Sequence, residues 1–233
     1  MRTFLLSPAN CGGERARLLV RPGAAFPLAV ALREGRATLG EVFTFTSGLY
    51  FRGKLAYART FAAAGATRVI TPSRGLQPPE RPVSLADIEE FASVAVDRAN
   101  PRYRAPLERD VAAIARLPGE VVLLGSIATD KYVDVLLEHL GDRLLFPSDF
   151  VGRGDLSRGG LLLRASRAGE ELPYVPVRGA VRTGKRPPRL PRLPRRVTGA
   201  AIGTPPRDDQ PQGDGRLPPR LRGQLPHPRH RGE

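Results

Sequence analysis

Four short apolar runs, at residues 3–6, 67–71, 120–124 and 144–146, recur along the chain, and each is closed by a proline or a glycine: Pro8, Pro72, Gly125 and Pro147. Runs of this length are too short for helices. The run through Val121, Val122, Leu123 and Leu124 does not alternate with polar residues, as befits a strand covered on both faces. Between the runs, apolar residues return at helical spacing. Phe51, Leu55, Ala58 and Ala62 form one stripe, ended by Gly65. Leu107, Val111 and Ile114 form another, stopped by Pro118-Gly119, and Tyr132, Val133, Leu136, Leu137 and Leu140 a third, ended by Gly141. Strand-helix alternation of this kind predicts right-handed crossovers and an α/β fold, with a mostly parallel sheet carrying helices on both faces.

Local signals fill in the remainder. Residues 14–20 start a helix after a Gly-Gly loop, and residues 26–34 form another, with Pro27 in its first turn and Gly35 as its stop. Thr38 and Glu41 have capping-box spacing, and Ser84 is an N-cap for residues 85–92. Asn100-Pro101 and Ala105-Pro106 bracket a basic turn containing Arg102, Tyr103 and Arg104. From Gly152 the pattern changes. Residues 152–160 read as a glycine-rich basic loop, followed by apolar runs at 161–165 and 172–177 around a turn, which predicts a C-terminal antiparallel hairpin.

The 233 residues suffice for a real core, but they are unevenly used. Of 37 bases and 23 acids, 12 bases and 4 acids fall in residues 184–233, a net +8 there against +6 before it. The same 50 residues hold 11 prolines and 7 glycines and no aromatic residue, so they cannot build a core. The expected division is an α/β domain at 1–183 and a disordered Pro/Arg/Gly-rich basic tail at 184–233. That tail reads either as a polycation for phosphate groups or as the out-of-frame product of a GC-rich gene. Because 34 of the 37 bases are arginine, in a chain also rich in alanine, glycine and proline, the charge reads first as coding bias and a solvated surface, with a dedicated groove as the alternative. The single cysteine, Cys11, excludes an intrachain disulfide and a cysteine zinc site and fits a cytoplasmic location. No apolar run is long enough for a membrane span, and the first residues do not make a secretory signal.

In an open parallel sheet, ligands bind beyond the carboxyl ends of the strands. The loops predicted there are 7–13, 71–75, 125–129 and 147–160. They offer Ser7, Asn10, Arg74, Ser126, Arg153 and Arg158, with Tyr50, Arg52 and Lys54 on a neighbouring helix. Lys54 and Lys131 are the only lysines before residue 184, so each is a candidate for a site that needs a compact ammonium; a solvent-facing lysine is the plainer alternative. Asp149 and Asp155 are candidate acids, bases or metal ligands, with ordinary turn aspartates as the competing reading. His139 lies near the far end of its helix, which argues against a histidine-based triad or metal site, and nothing in the sequence calls for a cofactor.

Leu5-Leu6-Ser7-Pro8-Ala9, Leu49-Tyr50-Phe51 in a helix that contains Tyr57, and Ile70-Thr71-Pro72-Ser73-Arg74-Gly75-Leu76 followed by Pro78 resemble the bacterial peroxide stress protein family (YaaA-like) and related uncharacterised α/β proteins. The similarity runs through residues 1–165, with Asn10 where the family pattern has lysine and Arg74 where it has tyrosine. The resemblance implies an α/β fold and association with nucleic acid or a nucleobase, without an established catalytic activity. The expected function is therefore binding of a nucleotide, nucleobase or nucleic acid at the strand-end loops. The alternatives are an enzyme on a nucleoside or phosphorylated substrate, with Asp149 or Asp155 as acid or base, and a non-catalytic interaction scaffold.

Overall fold

The chain enters the sheet at once, with β1 (Thr3–Leu6), and then builds four helices before returning: α1 (Glu14–Val20), α2 (Pro27–Arg33), α3 (Leu39–Ser47) and α4 (Leu49–Phe61). The next elements are β2 (Thr67–Ile70), a two-residue β3 (Leu76–Gln77), α5 (Leu85–Ser93), α6 (Pro101–Ala115), β4 (Val121–Leu124) and α7 (Asp130–Leu140). The last are β5 (Leu144–Pro147), α8 (Asp155–Ala168) and β6 (Tyr174–Pro176). These elements come from a computed structural model that describes residues 2–191. The basic tail expected from residue 184 lies outside the described residues from 192 onward. Residues 184–191 carry no helix or strand, and the Gly184 and Lys185 carbonyls approach Gly152 while Leu190 lies beside Gly160 of α8.

The sheet order is β3-β2-β1-β4-β5-β6. The four central strands are parallel, with Leu6 beside Val69 on one side and Leu124 on the other, and the two edge strands are antiparallel. All of β4 and three residues of β1 are buried, so both faces of the sheet are covered. The alternation of strands and helices thus produces the predicted α/β fold, mostly parallel with a C-terminal antiparallel pair.

Sequence signals explain most boundaries. Thr38 and Ser84 each make a full capping box, with Glu41 and Asp87 reaching back to the cap. Three local expectations are corrected. Residues 161–165 are not a strand: they lie in α8, and the antiparallel partner of β5 is β6 alone. The supposed loop at 152–160 is helical from Asp155, because Gly159 is where α8 touches another helix rather than where the chain turns. The basic turn at 100–106 is likewise helical: Asn100 accepts a bond from the Arg102 N–H, and Pro101 at the first helical position launches α6, which carries Pro106 inside it.

Candidate functional site at the ends of β1 and β4

β1 connects to β2 on one side while β4 connects to β5 on the other, so the loops leaving these two neighbouring strands diverge. A cleft of about 750 Å³ opens there. It is bordered by the 7–12 loop after β1, Tyr50 and Lys54 of α4, Ser126 after β4, the first turn of α7 and Asp155. The Ser7 N–H still bonds to the Leu124 carbonyl at 3.3 Å, so Ser7 is held in the ladder at the floor of the cleft.

Lys54 dominates this floor. It is 1% exposed, and its Nζ donates to the Ser7 carbonyl at 2.8 Å and to Ser7 Oγ at 2.9 Å. The Tyr50 and Phe51 ring centroids lie 4.4 and 4.9 Å from Nζ. Asp155 is the acid whose field favours the ammonium, but its carboxylate pairs with Arg158, at 3.4 Å. Burial therefore wins, and the Lys54 pKa falls from 10.5 to about 7.

A close helix crossing is what buries it. A Cβ on Gly53 would stand 2.6 Å from the Gly159 carbonyl oxygen, and one on Gly159 would stand 2.6 Å from the Leu49 oxygen and 2.8 Å from Tyr50 Cα. The backbones of α4 and α8 thus meet at a glycine pair. Tyr50 and Lys54 flank the crossing on α4. Arg158 flanks it on α8, donating from Nε to the Phe150 carbonyl at 3.2 Å.

The rest of the cleft is hydroxylic and aromatic. The Tyr132 hydroxyl donates to the Ser126 carbonyl at 2.9 Å. Gly125 passes so close beneath that a Cβ there would meet Ser7 Cβ at 2.8 Å and the Tyr132 oxygen at 3.0 Å. The Tyr50 hydroxyl is fully buried and has no hydrogen-bond partner among the described residues. Burial raises its pKa and that of Tyr132. Cys11, also buried, has its thiol pushed up to about 12 by desolvation, which makes it a poor nucleophile. Thr129, at the N-cap of α7, makes no side-chain cap, so first-turn N–H groups of an eleven-residue helix border the cleft beside the exposed Lys131.

Of the residues singled out from sequence, Ser7, Asn10, Tyr50, Lys54, Ser126, Lys131 and Asp155 line this one cleft. Arg158 is buried behind it. Arg74 is elsewhere: it pairs with Asp87 and Glu90 of α5 and serves the fold. Burial would raise the Asp87 pKa, but hydrogen bonds from Ser84 and the charges of Arg74 and Arg81 outweigh it and hold the carboxyl below its usual range. Arg52 is exposed and borders a shallow groove with Glu41 and Arg59. Arg153 donates to the Asp149 carbonyl at 2.9 Å and to Ser157 Oγ at 3.2 Å, and the Asp149 side chain is exposed. Tyr132 was legible only as part of an apolar stripe; the signal for more was its place in the first turns of a helix that follows a strand-ending glycine. Among the described residues no group of three or more His, Cys, Asp or Glu side chains is arranged to hold a metal ion. Comparison with protein-family models, curated proteins and solved structures gives no match.

Proposed function

We propose that the protein binds a nucleotide or nucleobase-bearing molecule in the cleft where β1 and β4 end, acting in the cytosol. The observation that carries this is Lys54: a buried cation whose only direct oxygen partners among the described residues are the carbonyl and hydroxyl of Ser7 lies at the floor of an open cleft, where an anionic group would complete its coordination. The cleft volume falls within the roughly 300–1,000 Å³ usual for small-molecule sites. Lys131 and the uncapped first turn of α7 suit a phosphate, and the Tyr50 and Tyr132 rings give apolar walls for a base. The resemblance of Leu5–Ala9 and Ile70–Leu76 to the YaaA-like family, with its nucleic-acid association, supports the same reading. The single cysteine is what supports a cytosolic setting.

The test is thermal unfolding and titration calorimetry of the full chain with nucleobases, nucleosides, nucleotides and short oligonucleotides at low salt. A concentration-dependent rise in Tm is expected for a nucleotide, weakened in Lys131→Ala. A response to oligonucleotides alone that collapses with salt would move the proposal to nucleic acid. No rise with any of them would refute it.

A further inference from the structure

We propose that Ser7 and Lys54 are a nucleophile and its general base, and that the cleft carries out acyl transfer from carboxylic esters. Ser7 Oγ and Lys54 Nζ are 2.9 Å apart, within the range for a base to take a hydroxyl proton directly. A serine activated by lysine is one of the known variants of the serine-histidine arrangement. A base also needs a fixed orientation. The Ser7 carbonyl, at 2.8 Å from Nζ, and the Tyr50 ring provide it, while Gly53 and Gly159 hold α4 in place. A lysine can act as a base only when neutral, and burial brings Lys54 to about 7, so a large share of it is neutral near neutral pH. Among the described residues no histidine lines the cleft, and Cys11 is disfavoured as a nucleophile by its high pKa.

The step balances on these two side chains and water. The Lys54 amine takes the Ser7 hydroxyl proton as Oγ bonds to the ester carbonyl carbon. The bond from that carbon to the alcohol oxygen then breaks, and the ammonium returns its proton to the departing alkoxide. Water, deprotonated by the same amine, attacks the Ser7 ester, releasing the carboxylic acid and restoring the hydroxyl. This activity shares the cleft with nucleotide binding but does not depend on it.

The test uses the intact chain and a fluorophosphonate probe. Oγ attacks phosphorus, the P–F bond breaks, fluoride leaves and the proton passes to Lys54. Intact mass and peptide mapping should place one phosphonyl group on Ser7, with a labelling rate that rises with pH through about 7, where Lys54 loses its proton. Ser7→Ala should abolish the label, Lys54→Met should slow it by about a hundredfold, and Asp149→Asn should leave it unchanged. If Ser7→Ala does not fold, the mapped site and pH profile of the unaltered protein decide. No label on the folded chain, a label on another residue, or a rate indifferent to pH between 6 and 8 overturns the proposal. Labelling without any nucleotide response would sink only the binding reading, and the reverse only this one.

Discussion

Replacing Lys54 by methionine should change how stability depends on pH more than any other single substitution in the cleft. Lys54 is 1% exposed, and its pKa is about 7 in the fold against 10.5 when hydrated. Between these values the unfolded chain carries the proton and the folded one does not, so unfolding takes up a proton and stability rises with pH across this window. Below about 7 both states are protonated, and the fold bears the full cost, about 5 kcal/mol for the shift. From about pH 6 to about pH 8.5 the wild-type free energy of unfolding should therefore climb by about 2 kcal/mol. Lys54→Met removes the titrating group and, lacking a desolvated ammonium, should be the more stable protein at pH 6. Urea unfolding of both proteins across this range isolates the difference, since other titrating groups are common to the two. Cys11 pulls the other way only above its unfolded value of 9.0, where the free thiol begins to ionise and the buried one does not. Parallel stability curves for the two proteins would refute the reasoning, because Lys54 would then keep its ordinary affinity for the proton.

Two further expectations separate the site from its scaffold. Gly159→Ala pushes a methyl group into the backbone of α4 at 2.6 and 2.8 Å and should cost about 1–3 kcal/mol in thermal or urea unfolding, whereas Gly160→Ala meets only the Leu190 side chain at 3.5 Å and should add about 0.5–1 kcal/mol through helix propensity. Arg74→Met should lower stability by about 1–2 kcal/mol through the loss of Asp87 and Glu90, leave ligand response in the cleft unaltered, and converge on the wild type in acid. The sign follows from the two carboxyls, whose folded pKa values are lowered, so their contribution is present above the unfolded values and lost as pH falls through the folded ones.

The central sheet was legible because strands such as Val121–Leu124 are buried on both faces and must be apolar throughout, and because Gly65, Gly125 and Gly141 stop elements where the chain has to turn. Three features were not legible, for different reasons. β3 is two residues long, too short for any pattern. α8 places Arg158, Gly159, Leu162 and Ala165 on its buried face, so its contact stripe is small and partly polar and carries little hydrophobic periodicity. Its Gly-Gly pair looks like punctuation, yet Gly159 is an instrument of packing. In the site, loop position brought Ser7, Asn10 and Ser126 to one cleft, since parallel strands bring their exits to one edge. Arginine positions misled because a guanidinium on a loop pairs as readily with a neighbouring carboxylate as with a ligand. Arg74 is the example, with acids from α5 on both sides of its fork.

The glycine crossing and the lysine belong to one argument. A fold gains nothing from a desolvated ammonium whose hydrogen bonds, among the described residues, go to Ser7 alone, and a methionine of similar volume would be the more stable occupant. Gly53 and Gly159 nevertheless bring two helix backbones into contact where Lys54 must be enclosed, so the cost is built into the frame rather than confined to a mobile surface side chain. Costs of this kind concentrate at functional sites. The two uses offered for Lys54 need opposite protonation states. Attracting an anion requires the ammonium, so affinity for a nucleotide phosphate should weaken as pH rises past about 7, whereas activating Ser7 requires the amine, so its reaction with a fluorophosphonate should accelerate over the same interval. One residue thus gives two pH profiles of opposite slope with a shared midpoint. Finding both would tie binding and chemistry to the same proton on Lys54, and finding midpoints well apart would assign at least one of them to a different group.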